Sequence, residues 1–96
     1  MVKVKNLHGQ TDCTCCDSWI DHWSKHTHNI LGRFYCRCCK KFTADSVGGH
    51  VIKVNGSDKN RYIVPLCKAC NQASNDAEFD VELDDLVWVR ACYKDK

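Results

Sequence analysis

Two pairs of cysteines at a two-residue spacing, Cys36/Cys39 and Cys67/Cys70, carry the clearest chemistry in this chain. A C-x-x-C turn lets two sulfurs point at one ion, and two such turns supply the four soft donors of a tetrahedral zinc site. The first pair stands in a tight turn with aromatic flanks (FYCRCCKKF, residues 34–42), where Cys38 competes with Cys39 as second ligand. The second pair directly follows an apolar strand and opens a helix, whose first-turn N–H groups favour thiolates. The expectation is structural Zn²⁺ held by Cys36, Cys39, Cys67 and Cys70. Competing readings are inert buried thiols and a redox couple, the latter lacking the βαβ surroundings of a thioredoxin. A triplet, Cys13, Cys15 and Cys16, with His22 and His26 four residues apart, is a candidate second site. Its internal gap is shorter than in a finger of two cysteines and two histidines, and one of the triplet could instead pair with Cys38. Cys92, in an apolar run, reads as a buried thiol.

These ligands need elements to hold them. Val2 and Val4 alternate with Lys3 and Lys5, the pattern of a short edge strand. Asp17 or Ser18 is placed to cap a helix running to about Lys25, on which Trp19, Ile20 and Trp23 share one face and read as core. Residues 26–29 read as a loop closing at Gly32. Residues 49–54 (GHVIKV) and 61–66 (RYIVPL) form a hairpin around the turn signal Asn55-Gly56. Pro65 requires the returning strand to be an edge, or to end, at that point. Residues 67–77 read as a short helix, weakened by Ser74 and the asparagines. In the tail, Phe79, Val81 and Leu83 alternate with acidic residues, so strands are expected there, with an amphipathic helix as the alternative. Phe79, Leu83 and Trp88 are the expected core residues of the tail.

At 96 residues the chain is one domain, 1–96, and too short to be comfortable on its core alone. Its nine cysteines could serve as staples, but an odd number suits disulfides poorly. The opening MVKVKNLHGQ carries no apolar leader and no stretch is apolar enough to span a bilayer, so a cytoplasmic, non-membrane protein is expected. Charge is asymmetric: residues 1–75 hold eleven basic and five acidic residues, a net +6, whereas 76–96 hold three and seven, a net −4. A basic body suits a polyanion such as nucleic acid. The acidic tail suits either that body or a basic protein partner.

The run Gly48-Gly49-His50-Val51, followed by Tyr62-Ile63-Val64-Pro65-Leu66-Cys67-Lys68-Ala69-Cys70-Asn71, resembles the HNH endonucleases, the ββα-metal or His-Me fingers. The likeness covers about residues 35–76: a knuckle, a histidine on the first strand, a hairpin, then a C-x-x-C-Asn helix start. It implies an α+β fold, a small treble-clef or ββα-metal zinc finger, here with an N-terminal helix and C-terminal strands. It further implies a metal-dependent nuclease acting on the phosphodiesters of DNA, with His50 as general base. Asn71 and Asn75, one helical turn apart, would lie near a catalytic Mg²⁺ or similar divalent cation. Where the family commonly places a metal-ligating residue before the general base, this chain has Gly49; its middle Asn would fall near Tyr62. Asp45 and Asp76 are substitute donors.

Lys40, Lys41, Lys53, Lys59 and Arg61 are the expected phosphate contacts. His50 has two other readings, a structural residue of the hairpin or a phosphate contact. The alternative function is a non-catalytic zinc module binding nucleic acid or protein; a thiol redox or metal-buffering protein is the third reading.

Overall fold

The computed structural model describes residues 1–7, 18–55, 60–72 and 78–90. Among these the elements run β1 (Val2–Asn6), α1 (Trp19–Thr27), β2 (Val47–Lys53), β3 (Tyr62–Leu66), α2 (Lys68–Gln72), β4 (Glu78–Val81) and β5 (Val87–Trp88). Short 3-10 turns over Leu31–Phe34 and Leu83–Asp85 link them. The strands form one antiparallel sheet in the order β4-β1-β2-β3-β5. The class is α+β, and no helix is long and apolar enough to cross a membrane among the described residues.

Ser18, not Asp17, is the cap seen at α1: its hydroxyl accepts from the Asp21 N–H at 3.1 Å. Asp17 lies outside the described residues. The helix runs two residues past the expected end, and its C-cap is His28 in the left-handed region at φ 57°. It closes with Thr27 donating to the Trp23 carbonyl at 2.9 Å, and Gly32 then donates to Asn29 Oδ1 at 2.9 Å.

The expected edge position of β1 is overturned. Val4 pairs with Lys53 of β2 on one side and with Phe79 of β4 on the other. The period-2 pattern of β1 reports which face is buried, not how many neighbours a strand has. The requirement at Pro65 holds locally. β5 pairs only with Tyr62 and Ile63, and beyond it the Pro65 carbonyl accepts from the Arg37 N–H of the knuckle at 2.9 Å.

Each sheet face is covered by a different layer. On one, Val4, Val51, Val64, Leu66 and Val81 pack with Cys36. On the other, Trp23 of α1 packs with Ile63 and Val87. Two adjacent glycines permit both contacts. A Cβ on Gly48 would stand 2.5 Å from the backbone carbon of Trp19, and one on Gly49 would stand 2.3 Å from Leu66 Cδ1.

The tail closes both edges of the sheet, but not with all the residues expected. Val81 and Val87 are buried and Phe79 partly so, whereas Leu83 is 63% and Trp88 42% exposed. Leu83 sits in the turn, where the strand alternation that would have turned it inward has already stopped. Tail carboxylates engage the body: Asp85 Oδ1 lies 3.2 Å from Arg37 Nε, and Asp80 Oδ1 lies 3.9 Å from Lys3 Nζ.

Candidate metal centre

The knuckle is a small hairpin of its own. Tyr35 and Phe42 bridge across it, Cys36 donates its N–H to the Lys41 carbonyl at 2.9 Å, and Lys40 donates back to the Cys36 carbonyl at 2.9 Å. The reversal needs a left-handed residue just after the second cysteine, supplied by Lys40 at φ 64°. The Cys39 N–H approaches Cys36 Sγ at 3.4 Å. The α2 end repeats this contact, with the Cys70 N–H 3.4 Å from Cys67 Sγ. Each C-x-x-C turn therefore aims one backbone donor at its own first sulfur.

β2 and β3 carry the second turn up to the first. The sulfurs of Cys36, Cys39, Cys67 and Cys70 all lie within 4.8 Å of one another, and those of Cys39 and Cys67 are 3.9 Å apart. A tetrahedron of sulfurs at the usual zinc–sulfur length has edges of about 3.8 Å. The four donors and their spacing fit a zinc ion. Cys39 completes the cluster and Cys38 stands outside it, packed against the core.

The thiol acidities fit the same conclusion. Burial alone would raise Cys36, but the backbone N–H groups of Cys39, Cys67 and Cys38 bring it down to about 7. Lost hydration and the Cys36 sulfur push Cys39 up, and burial together with the Cys67, Cys36 and Cys38 sulfurs pushes Cys70 far up. Four thiolates repel one another unless a dication sits among them.

The residues expected to act beside this centre are split. His50 and Gly49 are neighbours on β2, so their side chains leave opposite faces. His50 points toward α1, 7% exposed, with Trp19 edge-on at 4.7 Å. Burial, then the charge of Arg61, lowers its pKa to about 4, so the imidazole is neutral at pH 7. Asn71 belongs to the other face: its Oδ1 lies 3.1 Å from where a Cβ on Gly49 would be. The space that a metal-ligating side chain at position 49 would need is filled by Leu66. Asn75, Asp76 and Lys59 lie outside the described residues, as do Cys13, Cys15, Cys16 and Cys92. Asp45 is exposed.

Of the expected phosphate contacts, Arg61 lies beside His50, whereas Lys53 stands over the Tyr62 ring at 5.1 Å on the opposite face. Lys40 and Lys41 sit on the knuckle, with Lys40 Nζ donating to the Asp80 carbonyl at 2.9 Å. His22 is buried, with Nε2 3.1 Å from the Trp88 carbonyl and its ring stacked at 5.9 Å on His26. A carbonyl only accepts, so Nε2 carries the proton, and this contact ties α1 to β5.

Three residues were not singled out for function in the sequence. Lys3 and Lys5 share the β1 face on the His50 side of the sheet, a placement their alternation with Val2 and Val4 already contained. Arg37, buried inside the first C-x-x-C pair, donates Nη1 to the carbonyls of Gly32 (3.0 Å) and Tyr35. Nothing local marks an arginine there as buried.

Together these features define a zinc-finger-like α+β protein with four cysteines close enough to hold a metal ion. Comparison with protein-family models, with curated proteins and with solved structures finds no match for the chain.

Proposed function

We propose that this chain is an HNH-like, zinc-stabilised module that binds nucleic acid, DNA before RNA. The observation that carries the binding reading is a basic strip on the sheet face beside α1. Lys3, Lys5 and Arg61 lie on that face, and α1 packs over β2 and β3 rather than β1. Phosphates need cations spread along a surface, and this strip supplies them without closing on a pocket. The order knuckle, hairpin, helix, with a C-x-x-C pair at each end, supports the HNH-like reading. Zinc is the metal that best suits four thiolates, and its role here is to hold the fold.

A second reading is hydrolysis with His50 as general base and Mg²⁺ or another divalent cation as cofactor. The neutral imidazole beside Arg61 favours it, because a base must be unprotonated and a phosphate needs a nearby cation. Its burial under Trp19, the Leu66 contact at Gly49 and the placement of Asn71 on the other face favour binding over cleavage. A protein partner reached through the acidic tail is weaker still, since Asp80 and Asp85 already face Lys3 and Arg37.

The test is threefold on purified protein: zinc by elemental analysis, DNA affinity against salt, and plasmid nicking with Mg²⁺ or Mn²⁺. The expected result is bound zinc, salt-dependent DNA binding weakened by Lys5→Ala and Arg61→Ala, and no nicking. Nicking that disappears in His50→Ala would establish the hydrolytic reading instead. Folded protein without zinc, or without affinity for DNA at low salt, would defeat the proposal.

A further inference from the structure

The knuckle ends in an aromatic ring whose exposure the fold does not explain. Starting from the core, the Arg37 guanidinium lies 5.1 Å from the Trp23 ring centroid and 5.2 Å from the Tyr35 ring centroid. Tyr35 then meets Phe42 with ring centroids 5.0 Å apart. The series Trp23, Arg37, Tyr35, Phe42 runs from a fully buried indole to a phenyl ring that is 76% exposed. A phenylalanine pays hydration to stand outside, and at the tip of a hairpin it contributes little to a core. Its immediate predecessors in the chain are the exposed Lys40 and Lys41. Asp85, on the Arg37 side of the series, is neutralised by that guanidinium at 3.2 Å.

A flat apolar ring with cations beside it matches an unpaired nucleobase followed by its phosphate, because every base has a π-face and every nucleotide a negative charge. A duplex hides its base faces inside the stack, so this ring would add nothing to duplex binding. We infer that the knuckle is a stacking platform for single-stranded nucleic acid: Phe42, backed by Tyr35, takes a base, and Lys41 faces the adjoining phosphate, Lys40 being held to the Asp80 carbonyl. The inference rests on the nucleic-acid reading above and adds the strandedness that this part of the surface selects. It places the single-strand contact on knuckle residues other than the Lys3, Lys5 and Arg61 of the basic strip.

The test is fluorescence anisotropy with a labelled oligo(dT) twelve-mer and with a duplex of equal length, at low and moderate salt. Phe42→Ala is expected to weaken oligo(dT) binding about tenfold or more and to leave duplex binding unchanged, while Phe42→Trp keeps the single-strand affinity. Lys41→Ala is expected to weaken oligo(dT) binding and flatten its salt dependence. Zinc content and thermal melting, read on the same samples, should stay at wild-type values because the Phe42 ring is on the surface. Unchanged oligo(dT) affinity in Phe42→Ala overturns the platform while the wild-type duplex binding keeps the general reading standing. An unchanged salt slope in Lys41→Ala overturns the phosphate assignment. Wild-type protein that binds neither strand form overturns both readings together, and leaves Phe42 as a contact for a protein.

Discussion

Cys38 and Cys39 are adjacent, yet only one joins the sulfur cluster. The Cys39 N–H reaches back to Cys36 Sγ, and that turn brings its own sulfur to within 3.9 Å of Cys67. Cys39→Ser or Cys67→Ser is therefore expected to lose bound zinc, and Cys38→Ser to keep about one ion per chain, by elemental analysis after dialysis. Equal loss in all three would mean that the sulfurs rearrange on binding. His50 makes a different prediction, about acid. Its pKa falls from 6.5 to about 4 on folding, so between these values the unfolded chain holds the proton and the folded chain does not. Stability then rises with pH across this window: the contribution is fully present above 6.5 and is lost as pH falls through about 4. It amounts to at most about 3 kcal/mol. Urea melts at several pH values should show His50→Gln losing less stability than wild type between pH 7 and 4.5, on top of the acid loss of zinc common to both. Parallel profiles would show that His50 takes up its proton equally in both states.

At the scale of elements, the knuckle is held to α1, β3 and the tail through one buried residue. Arg37 bonds the Gly32 and Tyr35 carbonyls, pairs with Asp85 and stacks between Trp23 and Tyr35, while its backbone N–H meets Pro65. Removing one member of a buried pair strands the other, at about 3 kcal/mol or more. Arg37→Met should show a loss of that order in urea unfolding, and Arg37→Lys should recover little, because an ammonium cannot form the same fork. A small loss for either would mean that Asp85 turns to solvent at no cost. The tail strands offer a contrast within one segment. Val81→Ala should cost about 2 kcal/mol by opening the core, whereas Leu83→Ala, on the surface, should cost under about 0.5 kcal/mol. The alternation along the tail could not separate these two, since each reads as an apolar residue two positions from the next. The exposed one belongs to a turn that begins immediately after β4.

Across the whole molecule, a sheet assembled from distant segments stands beside a four-cysteine cluster that joins two short turns. β1 lies between β4 and β2, so the first strand of the chain is flanked by one of the last. Deleting residues 76–96 removes β4 and β5 and strips both edges of the sheet, besides exposing Trp23 and stranding Arg37. The truncated chain should melt at much lower temperature and aggregate through its bare strands; unchanged melting would show that the tail is dispensable. A chelator strong enough to remove zinc should likewise collapse the thermal transition, since α2 is only five residues long and relies on Cys67 and Cys70 for its place.

Much of this protein was legible in residue types at short range. The two C-x-x-C pairs, the Ser18 cap, the hairpin and the break at Pro65 are local facts, each decided by a side chain or by the geometry of a few consecutive bonds. The four cysteines that cluster, three of them unambiguous, came from spacing alone. What needed the folded chain was every question of which surfaces meet. The pleat sends Gly49 and His50 to opposite faces, but only packing showed that Leu66 fills the space over Gly49 and Trp19 covers His50. The interior place of β1, the burial of Arg37 and the exposure of Phe42, Leu83 and Trp88 depend likewise on contacts between residues far apart in the chain. A strand pattern records that one face is buried, not what buries it. That choice rests on the sum of many weak contacts, which exists only once the whole sheet has formed.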